Sequence, residues 1–167
     1  MGDLRRHHVF ANFIAEHWPD RSLSIADVAG GTGHLNSALR QLGYNNVITF
    51  DKRSNQRSTN RRNFRFQLFS EKVKDNFDLV IGMHPDGGTD EAINWAINHR
   101  VPFAVVPCCV IPSAWNYWGE RQYGAWLRHL SQQIVLRGIV PLETGLAIVG
   151  RNIVLANLES GVIPVKI

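Results

Sequence analysis

A tight glycine cluster between an apolar run and a helix-like segment is the feature that most restricts the fold of this chain. Residues 24–34 read SIADVAGGTGH, with glycines at Gly30, Gly31 and Gly33. Glycines at such a turn let the backbone approach a ligand closely. Asp51 follows 20 residues after Gly31, at the end of a second apolar run (VITF). This spacing is typical of the first βαβ unit of an α/β domain, in which the acid accepts hydrogen bonds from the ribose hydroxyls of a nucleoside.

The end of the loop distinguishes two kinds of nucleoside site. A dinucleotide-binding loop has the pattern G-x-G-x-x-G/A, whose last small residue lets the helix pack tightly. Here the pattern ends at Asn36, which argues against a nicotinamide-dependent oxidoreductase. The loop instead resembles motif I of class I S-adenosylmethionine (SAM) methyltransferases, usually an acid followed by three alternating glycines. By that resemblance Asp27 is the acid, and the three glycine positions are held by Ala29, Gly31 and Gly33.

Length and composition fit a single domain over residues 1–167. Apolar residues make up 44% of the 167 residues, which is enough for a core of its own. The sequence contains no apolar run long enough to span a membrane and no signal-peptide pattern, so a soluble cytoplasmic protein without membrane contact is expected. The two cysteines, Cys108 and Cys109, are adjacent. Such a pair provides neither a disulfide framework nor a complete zinc site, and no metal is expected.

The net charge of +4 is unevenly distributed, because six basic residues and no acid lie between Lys52 and Arg65. A run of this kind contacts phosphates in nucleic-acid-binding proteins. It equally forms an ordinary solvated face, or a loop whose arginines pair with carboxylates elsewhere. No stacking motif of a known RNA-binding module accompanies the charges. This basic segment (residues 52–65) therefore keeps RNA as a candidate partner without identifying it.

Periodicity divides the chain into alternating strands and helices. Helices are predicted over 3–18, from the glycine loop to a C-cap at Gly43, over 89–99 with Thr89 as N-cap, and over 123–136. Strands are predicted over 23–29, 46–50, 64–69, 75–83, 102–107, 139–142 and 152–158, the last two without a helix between them. This order predicts an α/β, Rossmann-like methyltransferase fold with helices on both faces of a mainly parallel seven-stranded sheet that has one antiparallel strand.

Polar residues also follow the fourth and fifth predicted strands. Residues 84–89 read HPDGGT and residues 107–109 read PCC. Ligands of open α/β sheets bind at the carboxyl ends of the strands, so these segments are expected near the glycine loop. His84 and Asp86 are candidates for general-base catalysis on a hydroxyl or an amine. Alternatively, His84 hydrogen-bonds to backbone at the start of the loop, and Asp86 caps the following helix.

Residues 82–90 (GMHPDGGTD) and 103–112 (FAVVPCCVIP) resemble a group of uncharacterised methyltransferase-like proteins with HPD…T-D/E and V-P-C-C-V-x-P elements. More distantly, they are similar to the methyltransferase domain of the eukaryotic tRNA acceptor-stem 2′-O-methyltransferase. That domain carries a cysteine after the histidine, which this chain lacks. The resemblance covers about residues 24–156 and implies transfer of a methyl group from SAM to an unidentified acceptor, with RNA favoured.

The resemblance also implies roles for particular residues. Those expected around SAM, from its amino-acid end to its adenine, are Asp27, Ala29, Gly30, Gly31, Gly33, His34, Asp51, Lys52, Ser70 and Glu71. His84 and Asp86 are expected to line the transfer site, with His84 also near the cofactor. A competing hypothesis is a methyltransferase-like module that binds nucleosides or RNA without catalysis, which methyl transfer to any acceptor would exclude.

Overall fold

The computed structural model describes residues 3–53, 63–108 and 120–159. The helices in these ranges are α1 (Arg6–His17), α2 (His34–Gln41), α3 (Thr89–His99) and α4 (Glu120–Val135). The strands are β1 (Ile25–Val28), β2 (Val47–Phe50), β3 (Phe64–Arg65), β4 (Leu79–Met83), β5 (Phe103–Val106), β6 (Leu142–Gly145) and β7 (Ile153–Asn157). A 3₁₀ turn, Asp86–Gly88, leads into α3. Within the described ranges, no helix combines the length and apolar character that a membrane span requires.

The strands form a seven-stranded sheet in the order β3-β2-β1-β4-β5-β7-β6. The first five strands of the chain pair in parallel. Strand β7 runs antiparallel to both β5 and β6. Its pairing with β6 is antiparallel because a short turn, without a crossover helix, joins the two strands. The predicted fold, a mainly parallel sheet with one antiparallel strand, is confirmed.

Two apolar clusters cover the two faces of the sheet. Helices α1 and α2 pack over one face, against alternate strand residues such as Ile25 and Ile81. Helices α3 and α4 pack over the other face, against residues such as Val80. Because both faces are covered, the central strands are apolar along their whole length. Asp27 and Thr49 are polar exceptions and are also completely buried, which distinguishes this part of the sheet from the rest of the core.

Three predicted strands differ clearly in length or position. Strand β4 begins at Leu79 and not at residue 75. Strand β6 spans Leu142–Gly145 and not residues 139–142. The residue before it is Pro141, which has no N–H for the ladder, and this edge strand does not need a continuous apolar run. Strand β3 stops at Arg65. The alternating pattern does not continue as a strand because Phe69 turns into the apolar cluster under α3.

The predicted helix ends were right in one case and wrong in another. Gly43 follows α2 with a φ of +95°, the left-handed conformation expected of a C-cap glycine. Thr89, in contrast, is the first residue of α3 and does not cap it. Its hydroxyl bonds back to the carbonyl oxygen of Asp86 at 3.5 Å, because the preceding 3₁₀ turn already carries the chain into the helix.

Candidate functional site at the carboxyl edge of the sheet

The glycine loop joins β1 to α2 through a turn with repeated left-handed residues. Ala29, Gly31 and Gly33 have φ values of +52°, +59° and +82°. The N–H of Gly33 bonds to the Gly30 carbonyl at 2.9 Å, and the N–H of Gly30 bonds to the Phe50 carbonyl at 3.3 Å. The loop is therefore tied to the end of β2 and follows a path that favours glycine.

The glycines of this loop have different surroundings. A Cβ atom on Gly30 would lie 2.2 Å from Oδ2 of Asp27 and 2.6 Å from Cγ2 of Thr49, so only glycine fits there. A Cβ atom on Gly33 would lie 2.6 Å from the ring of Phe64. At Gly31 it would meet no described atom within 4 Å. Gly30 and Gly33 are thus required by packing, whereas Gly31 faces open space.

Ala29 occupies the position of the first glycine in the motif. Its φ of +52° is left-handed, which costs a residue with a side chain about 1–2 kcal/mol. The backbone therefore has the course that a glycine would give it, and the departure from the motif adds only a methyl group.

Asp27 lies under this loop and is the most deeply buried acid of the site. Oδ2 of Asp27 accepts a hydrogen bond from the Thr49 hydroxyl at 2.9 Å. Oδ1 of Asp27 has no hydrogen-bond partner among the described residues. Burial raises the pKa of Asp27 to about 7, and the charge of Asp51 acts in the same direction. Asp27 is therefore a carboxyl group with one unused acceptor at the base of the glycine loop.

Asn36 has a role that the sequence did not reveal. Its side-chain amide donates to the Thr49 hydroxyl at 3.0 Å and to the Val47 carbonyl at 3.1 Å. The resulting chain of bonds runs from α2 through Thr49 to Asp27. Where a dinucleotide-binding loop has a small residue, this protein uses a buried amide to join the helix to β2.

Asp51 follows β2 and is only 4% exposed. Oδ2 of Asp51 accepts the N–H of Gly31 at 2.9 Å, so the acid is bonded directly to the glycine loop. The Arg53 side chain also binds this carboxylate, from Nε to Oδ1 at 3.1 Å and from Nη2 to Oδ2 at 3.0 Å. Burial by itself would raise the pKa of Asp51, but the bonds from Arg53 and Gly31 outweigh it and hold the pKa below its usual value.

The pairing of Arg53 with Asp51 agrees with the alternative that arginines of the basic segment pair with carboxylates, although this partner was not predicted. The backbone N–H of Arg53 bonds to Oδ1 of Asp51 at 2.8 Å, which is an Asx-type turn that brings the two side chains together. The guanidinium of Arg53, 61% exposed, also lies 3.9 Å from Oδ2 of Asp86. Arg53 therefore connects the acid after β2 with the loop after β4.

His84 and Asp86 follow β4, as predicted, and both have left-handed φ values, +53° and +47°. Oδ1 of Asp86 lies 3.7 Å from Sγ of Cys108, which follows β5. The loop packs against the glycine loop, since a Cβ atom on Gly88 would lie 3.5 Å from Cβ of Ala29. The structure thus brings the ends of β1, β2, β4 and β5 together.

The ring of His84 is held by the backbone. Its Nε2 lies 2.8 Å from the carbonyl oxygen of Arg151. Because a carbonyl oxygen only accepts hydrogen bonds, Nε2 carries the hydrogen and Nδ1 keeps the lone pair when the ring is neutral. Burial lowers the pKa of His84, against the opposing effect of the Arg151 carbonyl.

His34 begins α2 beside the glycine loop, and its ring lies 5.3 Å from the ring of His7 in α1. Burial lowers the pKa of His7 to about 4, assisted by the charge of Arg6. The first turn of α1 thus adds Arg6 and His7 to the site, which the sequence did not indicate because α1 lies far from the motifs along the chain. Lys52 is exposed next to Asp51.

Ser70 and Glu71 follow Phe69, whose ring lies 5.0 Å from the ring of Phe50, the residue before Asp51. Oε1 of Glu71 accepts a hydrogen bond from the side chain of Asn98 at 2.9 Å, in the last turn of α3. The expected place of Ser70 and Glu71 beside the adenine stays a prediction.

Part of the basic segment and Cys109 lie outside the described residues. Arg57, Arg61 and Arg62 are among those omitted, while Arg65 lies 4.0 Å from Asp75. Across residues 3–53, 63–108 and 120–159, no cluster of three or more His, Cys, Asp or Glu side chains is arranged to hold a metal ion.

The strand order, the glycine loop after β1 and the acid after β2 together define the Rossmann-like methyltransferase fold. A SAM-dependent methyltransferase from Aquifex aeolicus aligns with 93% of this chain and 93% of its own, with a TM-score of 0.56 and 12% identity. A proposed RNA methyltransferase from Pyrococcus horikoshii aligns with 94% of this chain and 82% of its own, with a TM-score of 0.57 and 17% identity.

A third solved structure is that of the ribosomal protein L11 methylase from Lactobacillus delbrueckii subsp. bulgaricus. It aligns with 87% of this chain and 74% of its own, with a TM-score of 0.57 and 18% identity. No protein-family model and no curated protein matches the sequence. At identities this low the similarity shows a shared fold alone, and the function has to be argued from the chain itself.

Proposed function

We propose that the protein is a SAM-dependent methyltransferase. The observation that carries this proposal is the Gly31–Asp51 pair: a left-handed glycine that faces open space and bonds to an acid after β2. The second acid, Asp27, lies beneath with an unused carboxyl oxygen. The fold shared with known methyltransferases supports the same cofactor.

The residues present fit this cofactor. The open space at Gly31 accommodates its amino-acid end, with Asp27, Ala29, Gly30, Gly33 and His34 around it. Asp51 has the position and the charge to accept hydrogen bonds from the ribose hydroxyls, beside Lys52. When bound, SAM supplies an electrophilic methyl group, so that the main task of the protein is to align the acceptor with it. The adenine contact expected of Ser70 and Glu71 stays a prediction.

His84 and Asp86 are proposed to act at the transfer site. Nδ1 of His84 has a lone pair that can take a proton from a hydroxyl or an amine. The lowered pKa of His84 keeps the ring neutral, and hence able to accept a proton, at neutral pH. Asp86 is half-exposed at the mouth of the site, where it is suited to orient an acceptor.

RNA is proposed as the acceptor. The basic segment and the resemblance of the loops after β4 and β5 to a tRNA methyltransferase domain support RNA. The neighbours in fold include both a proposed RNA methyltransferase and a ribosomal protein methylase, so the fold itself favours neither acceptor.

Calorimetric titration with SAM and S-adenosylhomocysteine (SAH) tests the cofactor. We expect micromolar binding by the native protein. Asp51→Asn should weaken it about tenfold or more, because a hydrogen bond to a charged group contributes about 1.5–3 kcal/mol. Asp75→Asn, at an exposed acid away from the glycine loop, should bind like the native protein. Failure of the native protein to bind either ligand would refute the proposal.

A non-catalytic nucleoside- or RNA-binding module is the second candidate. The observation in its favour is that Arg53 holds both oxygens of Asp51, because the ribose hydroxyls of SAM would have to displace this arginine. Incubation with methyl-labelled SAM and total RNA separates the two candidates. Label in RNA supports the enzyme with its proposed acceptor, label in protein substrates moves the acceptor to protein, and SAH binding without any transfer favours the module.

A further inference from the structure

His84 is held by contacts from several elements. Its backbone N–H donates to the Val106 carbonyl at 3.0 Å, which joins the end of β4 to β5. Its Nε2 lies 2.8 Å from the carbonyl of Arg151, in the turn before β7. The guanidinium of Arg151 lies over the ring of Tyr123 in α4, 4.1 Å from its centroid. The hydroxyl of Tyr123 donates to the Pro107 carbonyl at 3.0 Å, and this closes a ring of contacts because Pro107 directly follows Val106.

This ring of contacts decides which nitrogen of His84 carries the hydrogen. The Arg151 carbonyl fixes it on Nε2, and Nδ1 keeps the lone pair. His84 also has a left-handed φ of +53°, which a residue with a side chain keeps only where its surroundings hold it there. The imidazole therefore keeps this orientation only while the Arg151 carbonyl stays in place. The side chain of the same residue is stacked on Tyr123.

We propose that Arg151 and Tyr123 are positioning residues for His84: their stacked side chains hold the Arg151 carbonyl so that Nδ1 of His84 is presented as the proton acceptor. The inference rests on the proposed function. During transfer, the O–H or N–H bond of the acceptor breaks, its proton goes to Nδ1 and its electrons stay on the acceptor atom. That atom forms the bond to the methyl group, while the bond from methyl to sulfur breaks and its electron pair stays on sulfur. The proton then leaves His84 for water.

The charged and titratable groups around His84 determine how it responds to pH. Among the described residues these are Arg6 and His7 from α1 and Asp86 from the 3₁₀ turn, beside the backbone carbonyl of Arg151. Burial and Arg6 lower the pKa of His84, the Arg151 carbonyl and Asp86 raise it, and the net pKa is below 6.5. If the Arg151 carbonyl moves away, its bond no longer favours the protonated ring, and the pKa of His84 should fall further below 6.5.

Nuclear magnetic resonance of histidine-labelled protein tests the inference without cofactor or acceptor. In the native protein we expect a His84 Nε2–H that exchanges slowly with solvent, together with nitrogen shifts of the Nε2–H tautomer. Arg151→Gln removes the stacked cation and should accelerate this exchange about tenfold or more, with a His84 pKa further below 6.5. Arg151→Lys should lie between the two. Arg137→Gln, at an exposed arginine after α4, should leave His84 unchanged.

Tyr123 provides a matched pair of variants. Tyr123→Phe keeps the ring under Arg151 and should keep slow exchange, whereas Tyr123→Leu should lose it. Unchanged exchange and an unchanged His84 pKa in Arg151→Gln would overturn the proposal. Because Arg151 is partly exposed, this variant gives the answer even if Tyr123→Leu does not fold. SAH titration of the same samples is a separate readout. A native protein that does not bind SAH would refute the proposed function, while the exchange data would still decide the positioning roles.

Discussion

Asp51 is the residue for which the proposed cofactor and the side chain of Arg53 would compete. Arg53 holds both of its oxygens with a guanidinium that is 61% exposed. We predict that Arg53→Gln strengthens SAH binding, because the ribose hydroxyls then no longer have to displace the arginine. An exposed ion pair contributes about 0.2–1 kcal/mol, so the gain should be up to about fivefold by calorimetry.

Arg137→Gln is the matched control for this prediction and should bind SAH like the native protein. Weaker binding by Arg53→Gln would contradict the prediction and would make Arg53 a contributor to the cofactor site. A gain that appears equally in Arg137→Gln would reflect net charge and not the contact with Asp51.

Single residues differ in how far the sequence could predict them. Asp51 could be found because its distance from the glycine loop is set by one helix and one strand. Arg53 could not, since the pairing depends on the turn and side-chain conformation after β2. Asn36 was recognised only as a departure from the dinucleotide pattern, and its bonds to Val47 and Thr49 appear only when α2 packs on the sheet.

The glycine loop is the element that combines packing with ligand binding, and its two adjacent glycines should respond differently to substitution. Gly30→Ala would place a Cβ atom 2.2 Å from Asp27 and is expected to lower the free energy of unfolding by about 1–3 kcal/mol or more. Gly31→Ala meets no described atom and should cost only about 1–2 kcal/mol, for its left-handed backbone. Its methyl group would, however, occupy the ligand space and weaken SAH binding.

Urea unfolding and SAH titration of both variants check this difference. Gly87→Ala is the control, since a Cβ atom there also meets no described atom within 4 Å and Gly87 does not have a positive φ. It should retain both stability and binding. Normal SAH binding by folded Gly31→Ala would show that the ligand does not lie against this glycine.

Whole elements were predictable where burial on both faces makes a strand apolar throughout, as in β1, β4 and β5. Elements at the edges of the sheet were not, because a strand with one neighbour needs fewer apolar residues. This explains the shifted β6 and the short β3. Ser70 and Glu71 follow this short β3, where Glu71 bonds to Asn98 of α3, and their expected place beside the adenine stays a prediction.

Two groups with shifted pKa values, Asp27 and His7, make the stability of the whole molecule depend on pH in opposite directions. Burial raises the pKa of Asp27 from 3.8 to about 7, so the folded protein holds a proton that the unfolded chain releases. This contribution to stability falls as the pH rises from about 4 to about 7. Burial lowers the pKa of His7 from 6.5 to about 4, so the unfolded chain holds the extra proton. This contribution increases with pH over nearly the same range, and the two partly cancel.

We predict that replacing either Asp27 or His7 exposes the pH dependence of stability that the other group contributes. In Asp27→Asn the free energy of unfolding should increase more steeply between about pH 4.5 and 6.5 than in the native protein, since only the falling contribution is lost. In His7→Gln the free energy of unfolding should increase less than in the native protein, or fall, over the same pH interval. The effect of Asp27 should be the larger, up to roughly 4 kcal/mol at about 1.4 kcal/mol per pKa unit, because His7 is only partly buried. Urea unfolding at several pH values measures both slopes, and variants that keep the native slope would show that neither group titrates with folding.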